Sequence, residues 1–306
     1  MPIQWFPGHM HKASKEIKKI LPKVDLIIEI LDARIPFSSD NPMIASLRGD
    51  KPCIKILNKS DLADASITRQ WQTFLENDKG VKTLALSNEQ PEKIQDLTRL
   101  CHKMLPGRKD GIKTINALIM GIPNVGKSTV INILAGKTIA KTGNEPAITK
   151  GQQRIKLDNN IVLTDTPGVL WPKFDHQNIG YRLATTGAIK DTAIDYDDIA
   201  FFAVDYLMKH YPENIKQRYE LEELPEREIE LLETIGRKRG CLRAGGQVEL
   251  DKVCKLFLTE FRAGLLGRIS LETPDTMQQE LKEIAVLEKQ KAEKKDARRQ
   301  NWKKST

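Results

Sequence analysis

Gly121-Ile122-Pro123-Asn124-Val125-Gly126-Lys127-Ser128 fits the pattern G-x-x-x-x-G-K-[ST], between an apolar run, Ile115–Met120, and a helical pattern, Ser128–Ala135. Strand, glycine loop and helix in that order make a phosphate-binding loop. Glycine lets the backbone wrap closely enough for its N–H groups to face phosphate. The helix N-terminus adds a favourable dipole, Lys127 neutralises β/γ-phosphates, and the Ser128 hydroxyl suits Mg²⁺. Asn124, Val125, Gly126 and Thr129 complete the residues expected against the nucleotide.

Two further motifs extend the reading. Asp165-Thr166-Pro167-Gly168 follows the apolar run Ile161–Thr164. An acid at such a strand end holds Mg²⁺ through water, and the Gly168 N–H is suited to sense a γ-phosphate, as in a switch II element. Thr149 is the best candidate for the switch I threonine that completes the Mg²⁺ shell, with Thr138 and Thr142 as nearby alternatives. Asn58-Lys59-Ser60-Asp61 follows the run Cys53–Leu57 and fits N-K-x-D. Guanine presents N1–H and N2–H₂ as paired donors, which the two oxygens of Asp61 accept together. Adenine has no such pair, so the expected nucleotide is GTP or GDP. Ser87-Asn88, after the run Lys82–Leu86, is a second base-contacting loop by position.

The order of these motifs is unusual. G proteins typically place the phosphate loop first and N-K-x-D last, whereas here N-K-x-D comes first and has no copy after Gly168. Loops at strand ends tolerate new termini, so the expected fold is a circularly permuted Ras-like P-loop GTPase domain of the α/β class. Strand-like runs (Val24–Leu31 and those above) alternate with helical patterns at His9–Leu21, Ser66–Leu75 and Glu92–Met104, as in a mostly parallel sheet covered on both faces. After about Gly180 only helical periodicity remains, at Ile199–His210, Glu226–Arg239 and Leu250–Ala263. The expected division is a GTPase domain over 1–178, an all-helical RNA- or ribosome-binding domain over 179–281, and a basic tail over 282–306.

Composition narrows the function classes. The 306 residues hold 49 Lys and Arg against 41 Asp and Glu, a net charge of +8. That balance favours a polyanionic partner. The longest apolar run, Val24–Leu31, is broken by Asp25 and Glu29, so no stretch approaches the roughly 20 apolar residues of a membrane span. Cys53, Cys101, Cys241 and Cys254 form no C-x-x-C pair. No membrane partner is expected, and the reading is a reduced, cytoplasmic protein.

Trp5-Phe6-Pro7-Gly8-His9-Met10, Asp32-Ala33-Arg34-Ile35-Pro36, Leu170-Trp171-Pro172-Lys173 and the permuted order together resemble the bacterial ribosome biogenesis GTPase A family. The resemblance runs over about residues 1–273, and Ala147 departs from it where a glycine is usual. It implies GTP hydrolysis coupled to late maturation of the large ribosomal subunit, with that subunit and its rRNA as partners and release on hydrolysis. The alternative is a GTP-dependent signalling switch that recruits protein partners. Related potassium-activated GTPases carry an asparagine ligand where Asn124 stands, which implies K⁺ beside Mg²⁺.

The catalytic group is the remaining question. Ras-like enzymes orient the attacking water with a glutamine just after D-x-x-G. Val169 and Leu170 stand there and cannot bond water. His102 and His210 lie in helical patterns, His176 lies in the loop leaving switch II, and His11 lies at the start of a basic helix. His9 follows Pro7-Gly8 in a segment bearing Trp5 and Phe6. The resemblance implies that His9 is the catalytic residue, with His176 or a group from the ribosome as the alternatives.

Overall fold

The apolar runs form strands β1 (Leu26–Asp32), β2 (Cys53–Asn58), β3 (Val81–Ala85), β4 (Ile115–Gly121) and β6 (Ile161–Asp165), joined by a short β5 (Gln153–Lys156). The computed structural model describes residues 5–87, 90–108, 113–136, 153–157, 160–193 and 195–305. Every residue of β1 and β2 is buried, as expected of parallel strands covered on both faces. The six strands lie in the order β3-β2-β1-β4-β6-β5. All neighbours run parallel except β5, which pairs antiparallel with β6. The α/β class and the permuted GTPase sheet are thus as expected from the sequence. β5 carried no sequence signal because only Ile155 of its four residues is buried.

The helices are α1 (Gly8–Ile20), α2 (Pro36–Ser39), α3 (Pro42–Arg48), α4 (Ala65–Leu75), α5 (Ile94–Met104), α6 (Lys127–Leu134), α7 (Gln177–Thr185), α8 (Tyr196–His210), α9 (Pro212–Tyr219), α10 (Glu228–Arg239), α11 (Leu250–Arg262) and α12 (Pro274–Ser305). α1 buries Met10, Ala13 and Ile17 at helical spacing and exposes Lys12, Lys15, Lys18 and Lys19 on the other face. α7 straddles residues 178 and 179, with Gly180 buried inside it. α12 continues through the basic stretch after Leu281. One contiguous apolar cluster runs from Ile30 and Ile119 in the sheet to Leu183, Ile199 and Phe257 in α7, α8 and α11. Cys53, Cys101 and Cys254 are buried thiols.

Topology locates the site. From β1 the chain crosses to β2 and β3 on one side, and from β4 it crosses to β6 on the other. The winding therefore reverses between neighbours β1 and β4. Ligands of open α/β sheets bind beyond the strand C-termini at such a reversal. Parallel pairing brings Asp32, Asn58, Gly121 and Asp165 to that one edge.

Candidate functional site

The phosphate loop is shaped by two left-handed residues, Asn124 at φ 60° and Gly126 at φ 88°. Such a turn aims successive N–H groups at one point and suits an anion. A Cβ on Gly121 would lie 2.6 Å from the Ile30 carbonyl, and one on Gly126 would collide with the Asn58 amide. Those glycines are required by the close approach of β1 and of the N-K-x-D loop. Asn58 Nδ2 donates to the Val125 carbonyl at 2.6 Å, and Lys59 Nζ donates to the Asn124 carbonyl at 2.6 Å. The two motifs, far apart in sequence, are bolted together.

The N-K-x-D loop is held from three sides. Lys59 sits at φ 59°, and its ammonium also lies 3.2 Å from Asp32. Burial pushes the Lys59 ammonium down, against the pull of Asp32. Burial alone would raise the Asp32 carboxyl, but the charges of Arg34 and Lys59 outweigh it and hold Asp32 well below the usual range. Ser60 donates through N and Oγ to the Leu86 carbonyl, at 3.0 and 2.9 Å, which brings buried Ser87 beside the loop. Asp61 follows, half-buried. Asn88 and Thr149 lie outside the described residues, as do Thr138 and Thr142.

Lys127, at the start of α6, meets Asp165, at the end of β6. Lys127 Nζ donates to Asp165 Oδ1 at 2.9 Å, with both side chains buried. Burial raises the Asp165 carboxyl despite that lysine. Its second oxygen, Oδ2, is buried with no hydrogen-bond partner among the described residues. An orphaned carboxylate oxygen on the partner of Lys127, with the half-buried hydroxyl of Ser128 next in the chain, is a hard-oxygen donor set that fits Mg²⁺. Among the described residues no cluster of three or more His, Cys, Asp or Glu could cage a metal.

Switch II packs directly on the loop. A Cβ on Gly168 would stand 2.9 Å from the Pro123 nitrogen, and Val169 N donates to the Gly121 carbonyl at 3.2 Å. Val169 is buried, in keeping with a residue that orients no water. His9 occupies the exposed first turn of α1, and no hydrogen bond or ion pair joins it to the phosphate loop among the described residues. His176 caps α7, accepting from Asn178 N at 3.2 Å, and its Nε2 lies 3.2 Å from Glu283 of α12.

Sequence reasoning used Asp32-Ala33-Arg34 only for its resemblance. The structure shows a working part: Arg34 grips Asp32 at 2.9 and 2.8 Å, and its guanidinium lies 5.3 Å from the Phe261 ring of α11. An acid ending β1, beside the strand of the phosphate loop, was the available signal. The helical layer also touches the nucleotide loops through its backbone. Leu271 N donates to the Arg34 carbonyl, Ile269 N to the Leu62 carbonyl, and Asn124 Nδ2 to the Gly187 carbonyl.

The profile of a family described as "50S ribosome-binding GTPase" matches residues 116–236. A Bacillus cereus protein named "Ribosome biogenesis GTPase A" is 44% identical over 295 residues, covering 94% of this chain and 99% of that protein. The chain belongs to the ribosome biogenesis GTPase A family. As a member it hydrolyses GTP and acts in ribosome biogenesis. A Thermotoga maritima structure described as GNP-bound YlqF is 30% identical, with a TM-score of 0.62 over 86% of this chain and 98% of that one. A mouse protein named "Mitochondrial ribosome-associated GTPase 1" is 32% identical, over 88% of this chain and 90% of that protein. Family membership accords with the permuted sheet, the four motif loops at one edge, and the hard-oxygen set at Asp165 and Ser128.

Proposed function

We propose that this GTPase binds a precursor of the large ribosomal subunit in its GTP state, promotes late maturation, and leaves on hydrolysis. One observation carries the reading: α7, which follows switch II in the chain, is bolted to α12. Arg182 of α7 bonds both oxygens of Glu280 at 2.9 and 2.7 Å, and α12 leads on into the basic stretch. A change at Asp165–Gly168 therefore reaches a surface suited to RNA. The exposed lysines of α1 offer further positive charge, and phosphate neutralisation gives sequence-independent affinity. No helix among the described residues is long and apolar enough to cross a membrane.

The site residues divide the work. Asn58, Lys59, Ser60, Asp61, Ser87 and Asn88 hold the guanine, and Asn124 through Thr129 cradle the phosphates. Lys127 would exchange Asp165 for the β/γ-phosphates when nucleotide enters, which would free the Asp165 carboxylate to help hold Mg²⁺ through water. Ser128, Thr149 and Asp165 would hold Mg²⁺, whose chemistry is to neutralise charge developing between the phosphates. An amide oxygen is the atom by which Asn124 would meet K⁺, while its amide nitrogen donates to the Gly187 carbonyl. His9 orients the attacking water after a hinge at Pro7-Gly8 brings it over the γ-phosphate. The engagement of His176 with α7 and Glu283 supports His9 over His176.

Co-sedimentation with large-subunit precursors tests the function. The complex should form with a non-hydrolysable GTP analogue, weaken steeply with salt, and be lost with GDP. Binding that ignores nucleotide refutes the assembly reading, and nucleotide-dependent affinity only for other proteins favours the signalling switch.

A further inference from the structure

Asn41, in the short link between α2 and α3, is 1% exposed and spends every polar group it has. Its backbone N–H donates to Glu29 Oε1 at 3.3 Å, and its Oδ1 accepts from Met43 N at 3.0 Å, capping α3. Its Nδ2 donates to the Val169 carbonyl at 2.9 Å, across 128 positions of sequence. The cap alone is an ordinary role for asparagine. The bond to Val169 is a different matter, because Val169 directly follows Gly168.

Val169 is thereby fixed on both sides of its backbone. Its N–H is held by the Gly121 carbonyl of the phosphate loop, and its carbonyl by Asn41. Gly168 is pressed against Pro123, where a Cβ would sit 2.9 Å from nitrogen and 3.0 Å from Cα. The orientation of the Gly168 N–H thus depends on two clamps, one from the phosphate loop itself and one from the link after β1. Asn41 is a stiff clamp. Pro42 follows it, and Asp40 before it is paired with Lys55, which also lies 3.5 Å from Glu29. A group locked in this way holds its neighbour at low entropic cost.

We propose that Asn41 is a positioning residue for GTP hydrolysis: its side-chain amide sets switch II so that the Gly168 N–H meets the γ-phosphate. This rests on the reading of Gly168 as the γ-phosphate contact. Among the described residues Asn41 hydrogen-bonds no side chain of the nucleotide site, so GDP, which lacks that phosphate, is bound equally well without it.

The test compares Asn41→Ser with the parent protein. Serine keeps a neutral cap for α3 but is too short to reach the Val169 carbonyl. The expected result is a kcat lowered about fivefold, the worth of one net hydrogen bond, with GDP affinity kept within about twofold. Asn41→Asp, which keeps the shape and the cap but replaces the donor by an acceptor, should lose more. A kcat matching the parent in both variants overturns the proposal. So does GDP affinity falling in step with kcat, since that marks a purely structural role. Gly168→Ala separates the two readings. If it leaves discrimination between a GTP analogue and GDP intact, the γ-phosphate contact is wrong. If it abolishes discrimination while Asn41→Ser turns over normally, the clamp is wrong.

Discussion

Replacing Arg182 by methionine removes the one guanidinium from a buried place that holds two carboxylates. Arg182 is 3% exposed, bonds both oxygens of Glu280, lies 3.2 Å from Glu272 Oε2, and donates through Nε to the Leu271 carbonyl at 3.1 Å. Glu272 is fully buried and also accepts from Ser38 N at 2.9 Å and from the Ser38 hydroxyl. Methionine refills most of the volume, so the cost is electrostatic. Removing one partner of a buried pair costs about 3–5 kcal/mol. The Ser38 bonds still stabilise Glu272, which puts the expected loss near the lower end, about 3 kcal/mol. At about 2–4 °C per kcal/mol for a chain of this size, the melting temperature should fall by about 6–12 °C.

The pH dependence gives this loss a sign. Burial alone would push Glu280 up, but the hydrogen bonds and charge of Arg182 outweigh it and hold Glu280 below its ordinary value. A depressed carboxyl lends stability above its unfolded pKa and loses it as pH falls through the folded one. Burial already raises Glu272 against the pull of Arg182. Without Arg182 both carboxyls rise, and their protonation relieves the variant as pH falls. The deficit should therefore be larger at about pH 7.5 than at about pH 5. Calorimetry of the nucleotide-free protein at both values measures it. A deficit below about 1 kcal/mol, or one equal at both pH values, refutes the reasoning that this clasp is a desolvated charge pair.

Other outcomes follow from single groups. Asp61→Asn sets a donor against guanine and should cost about 1–3 kcal/mol of GTP affinity; unchanged affinity on titration removes Asp61 from the base site. His9→Ala should keep GTP binding while ribosome-stimulated turnover falls by about 10²–10⁴-fold, the usual worth of a positioned imidazole. Full stimulated turnover would transfer the role to a group of the ribosome. Turnover should be faster in K⁺ than in Na⁺ at matched ionic strength, and equal rates exclude the Asn124 cation. Burial, with Asp40 alongside, pushes Glu29 up from 4.5 to about 8. A raised carboxyl gives stability that is lost as pH rises through the folded value, so Glu29→Gln should flatten the decline of melting temperature from about pH 6 to about pH 9. Parallel curves for the two proteins would count against a protonated Glu29.

The nucleotide loops were legible because each is contiguous and announces itself by a strand on one side. Asn58-Lys59-Ser60-Asp61 and Asp165-Thr166-Pro167-Gly168 carry their chemistry within four residues, and β2 and β6 ahead of them are plain apolar runs. α1 was legible for a related reason, since Met10, Ala13 and Ile17 recur at helical spacing. α7 was not. Gly180 reads as a break in the sequence, and Arg182 reads as a solvated charge, because nothing local says that Glu280 and Glu272 will enclose it. Such bonds span 98 positions from Arg182 to Glu280 and 234 from Ser38 to Glu272, beyond the reach of any periodicity.

The permuted order accounts for where those illegible contacts fall. With the phosphate loop late in the chain, Asp165–Gly168 is followed by α7, so the first helix after that loop is its sequence neighbour. The restraints on that helix and on switch II must then come from elsewhere. They come from the links after β1, where Ser38 and Asn41 reach Glu272 and Val169, and from the start of α12, where Glu280 takes Arg182. Each of these residues has a bland local reading: a turn serine, a helix cap, a helix-face glutamate. Asn41 is the sharpest instance. Its place before Pro42 declares a cap for α3, and the same side chain turns its other end to the backbone of switch II. A capping asparagine with a spare amide is common in sequences; what makes this one functional is that β1 and β4 are neighbours, which brings the link after β1 against the loop leaving β6.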